Sequence, residues 1–141
     1  MGPAGTVRVV ADSHALVWYV CGDQAGRLSP TALAALAAAE ADEGIAVSSA
    51  SLVDLWYVTQ TTRAVSAEQL AAIIELLKDP TSTLDQVPID VDIITAFAGI
   101  PLSSLRDPWD RLITATAMAL SLPLVTADSR ITATRTAEII W

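Results

Sequence analysis

Val7-Arg8-Val9-Val10-Ala11-Asp12-Ser13 joins a β-branched run to a polar pair, and residues 14–20 then continue as an apolar helix. A strand runs into a helix, with an acid at the junction. The same order returns at Gly44-Ile45-Ala46-Val47, an apolar strand followed by Ser48, Ser49 and Ser51 and by a helical stretch over 52–58 that holds Asp54 in its first turns. Further on, Leu122-Pro123-Leu124-Val125-Thr126 is a strand ending at Asp128, before a short helix or turn over 129–136. Between these units Ser29-Pro30 starts a helix running to about residue 43, and Ser66 starts one over 67–78 that Asp79-Pro80 ends. Asp90 caps a helix over 93–98, residues 84–89 form a weaker strand whose Pro88 suits an edge, and 137–141 form a last strand. Parallel strands need crossovers of about a dozen residues, usually helical. The expected fold class is therefore α/β, a three-layer sandwich with a mostly parallel central sheet of four to five strands and helices on both faces.

With 141 residues, 52% of them hydrophobic and 17% charged, the chain is expected to form a single domain over 1–141, with 1–6 as an N-terminal tail. No apolar run approaches the roughly 18 to 20 residues that span a bilayer, and no export signal opens the chain, so the expectation is a cytoplasmic protein without a membrane partner. A lone cysteine, Cys21, excludes an internal disulfide and argues against a zinc cluster. The net charge of -8 opposes a nucleic-acid partner in sum, yet Arg106, Arg111, Arg130 and Arg135 lie in the last third of the chain, among its most suggestive acids. Arginines there can meet phosphate or pair with the neighbouring aspartates.

One of those acidic stretches is Arg106-Asp107-Pro108-Trp109-Asp110-Arg111-Leu112-Ile113. Asp107 reads as an N-cap and Pro108 as the first helical residue, so Asp110 falls one turn in, beside unpaired N–H groups. The pair resembles a capping box with Asp where Glu or Gln is usual. Every other acid has a structural reading of its own: Asp12 and Asp128 can begin helices, and Asp54 can complete a box from Ser51. Jointly the reading changes. Ligands of parallel sheets bind beyond the carboxyl ends of the strands, and four aspartates gathered there repel one another unless a cation intervenes. Oxygen-only ligands suit Mg²⁺ or Mn²⁺, and the chemistry such ions favour is phosphodiester hydrolysis.

These residues also carry a resemblance. Val10-Ala11-Asp12-Ser13-His14-Ala15-Leu16-Val17-Trp18, Ser48-Ser49-Ala50-Ser51-Leu52-Val53-Asp54-Leu55, the octet around Asp110, and Leu122-Pro123-Leu124-Val125-Thr126-Ala127-Asp128 resemble, in order, the motifs of the PIN-domain family. More narrowly they are similar to the VapC-type ribonuclease toxins of bacterial toxin–antitoxin (VapBC) pairs, from residue 9 to about residue 131. The resemblance implies a PIN-like fold and a Mg²⁺-dependent endoribonuclease toxin that cleaves RNA phosphodiester bonds with metal-activated water. It implies Asp12, Asp110 and Asp128 as catalytic, metal-binding carboxylates, with Asp54 where the family usually has Glu. It further implies a VapB-type antitoxin whose C-terminal segment occupies the acidic groove, and a homodimer that becomes a heterotetramer or larger with the antitoxin.

On the substrate side Arg111 and Arg130 are the candidates for RNA phosphate, and Thr126 for holding Asp128 or a water. Leu105 stands near where many of these proteins have a histidine. His14, the single histidine, is expected to pack or cap rather than act as a base, and Trp18, Trp56, Trp109 and Trp141 to serve the core although tryptophans can stack bases. The rival reading is a catalytically weak or inactive PIN-like protein-binding module. A phosphoacceptor receiver domain is a second, disfavoured because the one lysine, Lys78, lies on a helix.

Overall fold

A computed structural model describes residues 7–141; the N-terminal tail expected over residues 1–6 lies outside the described residues. Its sheet has five strands, β1 (Val9–Ala11), β2 (Ile45–Ser48), β3 (Leu84–Val87), β4 (Leu124–Val125) and β5 (Ile139–Ile140), in the order β3-β2-β1-β4-β5. All neighbours pair in parallel, with Val10 beside both Ala46 and Leu124. Helices α1 (Ser13–Cys21) and α2 (Pro30–Glu40) lead from β1 to β2, and α3 (Ser49–Thr61) and α4 (Ala67–Lys78) from β2 to β3. The chain then crosses back through α5 (Val91–Gly99) and α6 (Pro108–Leu120) to β4 on the other side of β1, and α7 (Ser129–Thr134) leads to β5. Successive crossovers thus part between β1 and β4. In parallel sheets that switch point is where a crevice opens.

The alternation of strand side chains divides the core in two. Val9, Ala11, Ile45, Val47, Leu84 and Val125 pack with residues of α1, α2 and α4, whereas Val10, Ala46 and Leu124 face residues of α5, α6 and α7. Both faces of the central strands are consequently dry, which is why they read as continuous apolar runs. The edge strand β3 ends at Val87, before Pro88, as its missing N–H requires.

Each of these helices starts on Ser or Asp: Asp12, Ser29, Ser48, Ser66, Asp90, Asp107 and Asp128 all accept a bond from a first-turn N–H. Several boundaries shift by a few residues from expectation, among them both ends of α5, the end of β3 and both ends of β5, and two of the shifts have a clear local cause. Helix α3 begins at Ser49 rather than Leu52, because Ser48 ends β2 with extended backbone and its hydroxyl accepts from Ala50 N–H at 3.1 Å. Ser51 lies inside that helix, buried and with its hydroxyl unpaired, so the box expected between Ser51 and Asp54 does not form. Helix α2 stops at Glu40, three residues early, in a turn completed by Gly44 at φ +95°, where a Cβ would meet the Thr83 carbonyl oxygen at 2.7 Å. Among the described residues no helix is long and apolar enough to cross a membrane.

Candidate active site

At the switch point Asp12 follows β1 and caps α1, its Oδ1 accepting from Ala15 N–H at 2.9 Å and its Oδ2 from the Thr126 hydroxyl. Thr126 also accepts from Asp128 N–H at 3.0 Å. One buried threonine thereby holds the acids that follow two adjacent strands. Asp128 caps α7, accepting from Arg130 N–H at 2.8 Å and lying 3.4 Å from Arg130 Nη2. Asp54, in the second turn of α3, accepts from the Ser13 hydroxyl at 2.7 Å. Asp110 stands in the first turn of α6, whose cap, Asp107, accepts from the N–H groups of Trp109 at 2.9 Å and Asp110 at 3.0 Å. The Asp110 carboxylate does not close the box back to Asp107 N–H; its ion-pair contact is Arg130 Nη2 at 4.0 Å.

All four aspartates line one cavity of about 480 Å³, together with Ser13, His14, Trp18, Asp107 and Arg130. Negative charge is in excess there. Burial, and then the charges of Asp107, Asp128 and Asp54, push Asp110 from the ordinary 3.8 to about 7, with Arg130 opposing. Burial also raises Asp12, although the bonds from Thr126 and Ala15 pull the other way. Arg130 is held more firmly protonated by its bond to Asp128 and by the charges of Asp128 and Asp110.

An all-carboxylate donor set of this kind fits a hard divalent cation, which would offset the mutual repulsion of the four acids. In the arrangement described, however, no three His, Cys, Asp or Glu side chains form a finished ligand cage among the described residues. Protein donors engage both oxygens of Asp12 and of Asp128 and one of Asp54. The acids converge on one cavity without closing on one point.

Several expected roles are corrected. Arg111 is 6% exposed, and its Nη1 donates to the carbonyls of Leu105 at 2.7 Å and Pro101 at 3.4 Å, while Nη2 donates to those of Ile100 at 2.7 Å and Phe97 at 2.9 Å. With its guanidinium 4.5 Å above the Phe97 ring, it fastens the 100–105 loop to α6 and is buried away from any RNA phosphate. Thr126 does hold Asp128, as expected, and Asp12 as well, but being fully buried it does not reach substrate. His14 neither packs in the core nor caps; it is exposed at the cavity rim. Trp109 and Trp141 pack against the core as expected, but Trp56 is 50% exposed and Trp18 faces the cavity. Arg130 stays a cavity residue and Leu105 is buried. Ser13 was not foreseen as a site residue, and the available signal was a hydroxyl immediately after a strand-end acid.

The chain has relatives among known proteins. The family described as the PIN domain matches residues 9–137. Ribonuclease VapC22 of Mycobacterium tuberculosis is 31% identical over 123 residues, spanning 87% of this chain and 88% of that protein. Among solved structures, VapBC2 from Rickettsia felis bound to a promoter DNA fragment superposes with a TM-score of 0.68 at 15% identity, covering 94% of this chain and 97% of that one. VapBC-5 from Mycobacterium tuberculosis, with a TM-score of 0.60 at 19% identity, covers 94% and 97% likewise. At those identities the superpositions speak for the fold.

Proposed function

The chain belongs to the PIN domain family, and from that premise we propose that it is a VapC-type ribonuclease toxin, a Mg²⁺- or Mn²⁺-dependent endoribonuclease restrained by a VapB-type antitoxin. The observation that carries the proposal is the gathering of Asp12, Asp54, Asp110 and Asp128 around one cavity at the sheet's switch point, with Asp110 raised to about 7 by burial and by the neighbouring carboxylates. These four are the residues that would hold the ion, which supplies a water of lowered pKa and offsets charge on the phosphodiester. Thr126 keeps the carboxylate of Asp12 and the backbone of Asp128 in register, and Ser13 holds Asp54. Asp54 is a methylene shorter than the usual Glu, and its bond to Ser13 fixes the direction in which that shorter arm points. Arg130, exposed at the rim, is placed to meet a phosphate of the bound strand once the acids are neutralised.

In this reading the toxin forms a homodimer and a heterotetramer or larger assembly with its antitoxin, as the family resemblance implies. Purified protein is expected to cut RNA with Mg²⁺ or Mn²⁺ present, to stop on chelation, and to lose activity at least about a hundredfold in Asp110→Asn with the fold kept. Undiminished cutting by Asp110→Asn would defeat the assignment. The unfinished ligand cage favours one competing reading, a PIN-like protein-binding module without useful activity. Mn²⁺ binding that Asp12→Asn abolishes, with no RNA cut by the parent protein, is the result that would select it.

A further inference from the structure

Trp18 is a large side chain that the core does not use. It is partly exposed, belongs to neither apolar cluster, and lines the same cavity as Asp12, Asp110 and Asp128. Its indole N–H makes no hydrogen bond among the described residues. The ring is nevertheless held on several sides. His14, one turn earlier on α1, lies 5.8 Å away between ring centroids at 45°, and Trp141, which packs against the core just after β5, meets it edge-on at 6.2 Å. The guanidinium carbon of the exposed Arg27 stands 5.7 Å from its centroid. A rigid, half-dry aromatic beside a polar cavity leaves apolar surface in water unless a flat ligand covers it.

We infer that Trp18, flanked by His14 and Arg27, is the stacking platform for an unpaired nucleobase of the RNA strand whose phosphate lies at the four aspartates. The inference rests on the ribonuclease reading and deepens it. Charge supports a strand rather than an isolated ring: Arg130 lies at the cavity beside Asp110 and Asp128, and Arg27 at Trp18, so cations are available to flanking phosphates at both places. A base can reach the indole only out of a duplex, so the RNA is single-stranded at that position. Stacking tolerates any base, and Trp18 therefore selects for strand state and affinity rather than for sequence.

The test uses the whole protein with its four aspartates intact and Ca²⁺ in place of Mg²⁺, an oxygen-liganded ion that offsets the acids while RNA stays uncut, and a short labelled single-stranded RNA followed by fluorescence anisotropy. Adding Trp18→Ala is expected to weaken binding by about ten- to a hundredfold, the loss of one stacked base, whereas Trp18→Phe retains most of the affinity. Bound RNA should also quench tryptophan emission, and that quenching should fall markedly in Trp18→Phe even though binding persists. The second measurement stands where Trp18→Ala fails to fold. Unchanged affinity in Trp18→Ala, or undiminished quenching in Trp18→Phe, overturns the platform alone. A parent that neither binds nor cuts RNA overturns the ribonuclease reading and the platform with it. A Trp18→Ala protein that weakens only toward a protein inhibitor assigns the ring to that partner instead and also overturns the proposal.

Discussion

Two opposite solutions to a charge out of bulk water meet at one peptide bond. Arg111 is buried, yet four backbone carbonyls and the face of Phe97 surround it, so its charge is fully accommodated by the protein. Asp110, its neighbour, shares a cavity with Asp12, Asp54 and Asp128, and Arg130 is the arginine within ion-pair distance of it, 4.0 Å away. The first region is complete as it stands; the second is short of positive charge. A polar network that closes on itself is architecture, and one left open toward solvent points to something that binds.

The comparison breaks most sharply at Arg111. Arg111→Met strands carbonyls that are buried, each costing roughly 1 to 3 kcal/mol, and should lower stability by about 3 kcal/mol or more in urea unfolding. Arg111→Lys should rescue little, since a single ammonium cannot span the fork of acceptors. A shift in the urea midpoint no larger than that of a surface substitution would show the carbonyl cage to be dispensable.

Asp110→Asn should do the reverse. Removing a charge that its surroundings oppose is expected to raise the stability of the metal-free protein at pH 8 by on the order of 1 to 3 kcal/mol, while abolishing cleavage. Its pH dependence follows in sign. Asp110 ionises near 3.8 when unfolded and at about 7 when folded. Below the lower value both states hold the proton and stability is intact. Between the two values the unfolded chain has released a proton that the folded chain retains, so stability falls as pH rises and levels off above about 7. Asp12, raised in the same direction, adds to the fall. Thermal melts across this window should show the decline in the chelated parent, a shallower one in Asp110→Asn, and a flattened one with saturating Mn²⁺.

The smallest expected effect belongs to Ser13. Ser13→Ala frees Asp54 from its 2.7 Å bond and should weaken Mn²⁺ affinity by about tenfold with little change in melting temperature. An unaltered affinity would mean that Asp54 needs no such guide.

Much of this was legible in the string of residues because strands that are buried on both faces read as apolar runs and helices announce themselves by Ser or Asp caps. The acids were legible by position: Asp12 and Asp128 stand just past strand ends, Asp54 soon after another, and Asp110 in the first turn of a capped helix. Other features depend on partners far away in sequence. Ser48 and Ser51 are chemically alike, and pairing of Ser48 with Val87 at the end of β2 decides which one caps α3. Arg111 looks like a phosphate ligand until a loop residues earlier turns its carbonyls inward. Thr126 and Trp18 each sit in a motif, but burial of one and exposure of the other set their roles, and local sequence carries neither.

The central claim is that the open network around Asp110 is completed by a divalent cation. A Mn²⁺ titration at pH 8, followed by the loss of the free-ion electron paramagnetic resonance signal, tests it most directly. Saturable binding by the parent that disappears in Asp110→Asn is the predicted result. No saturable binding by the parent, or binding that survives intact in Asp110→Asn, would contradict it.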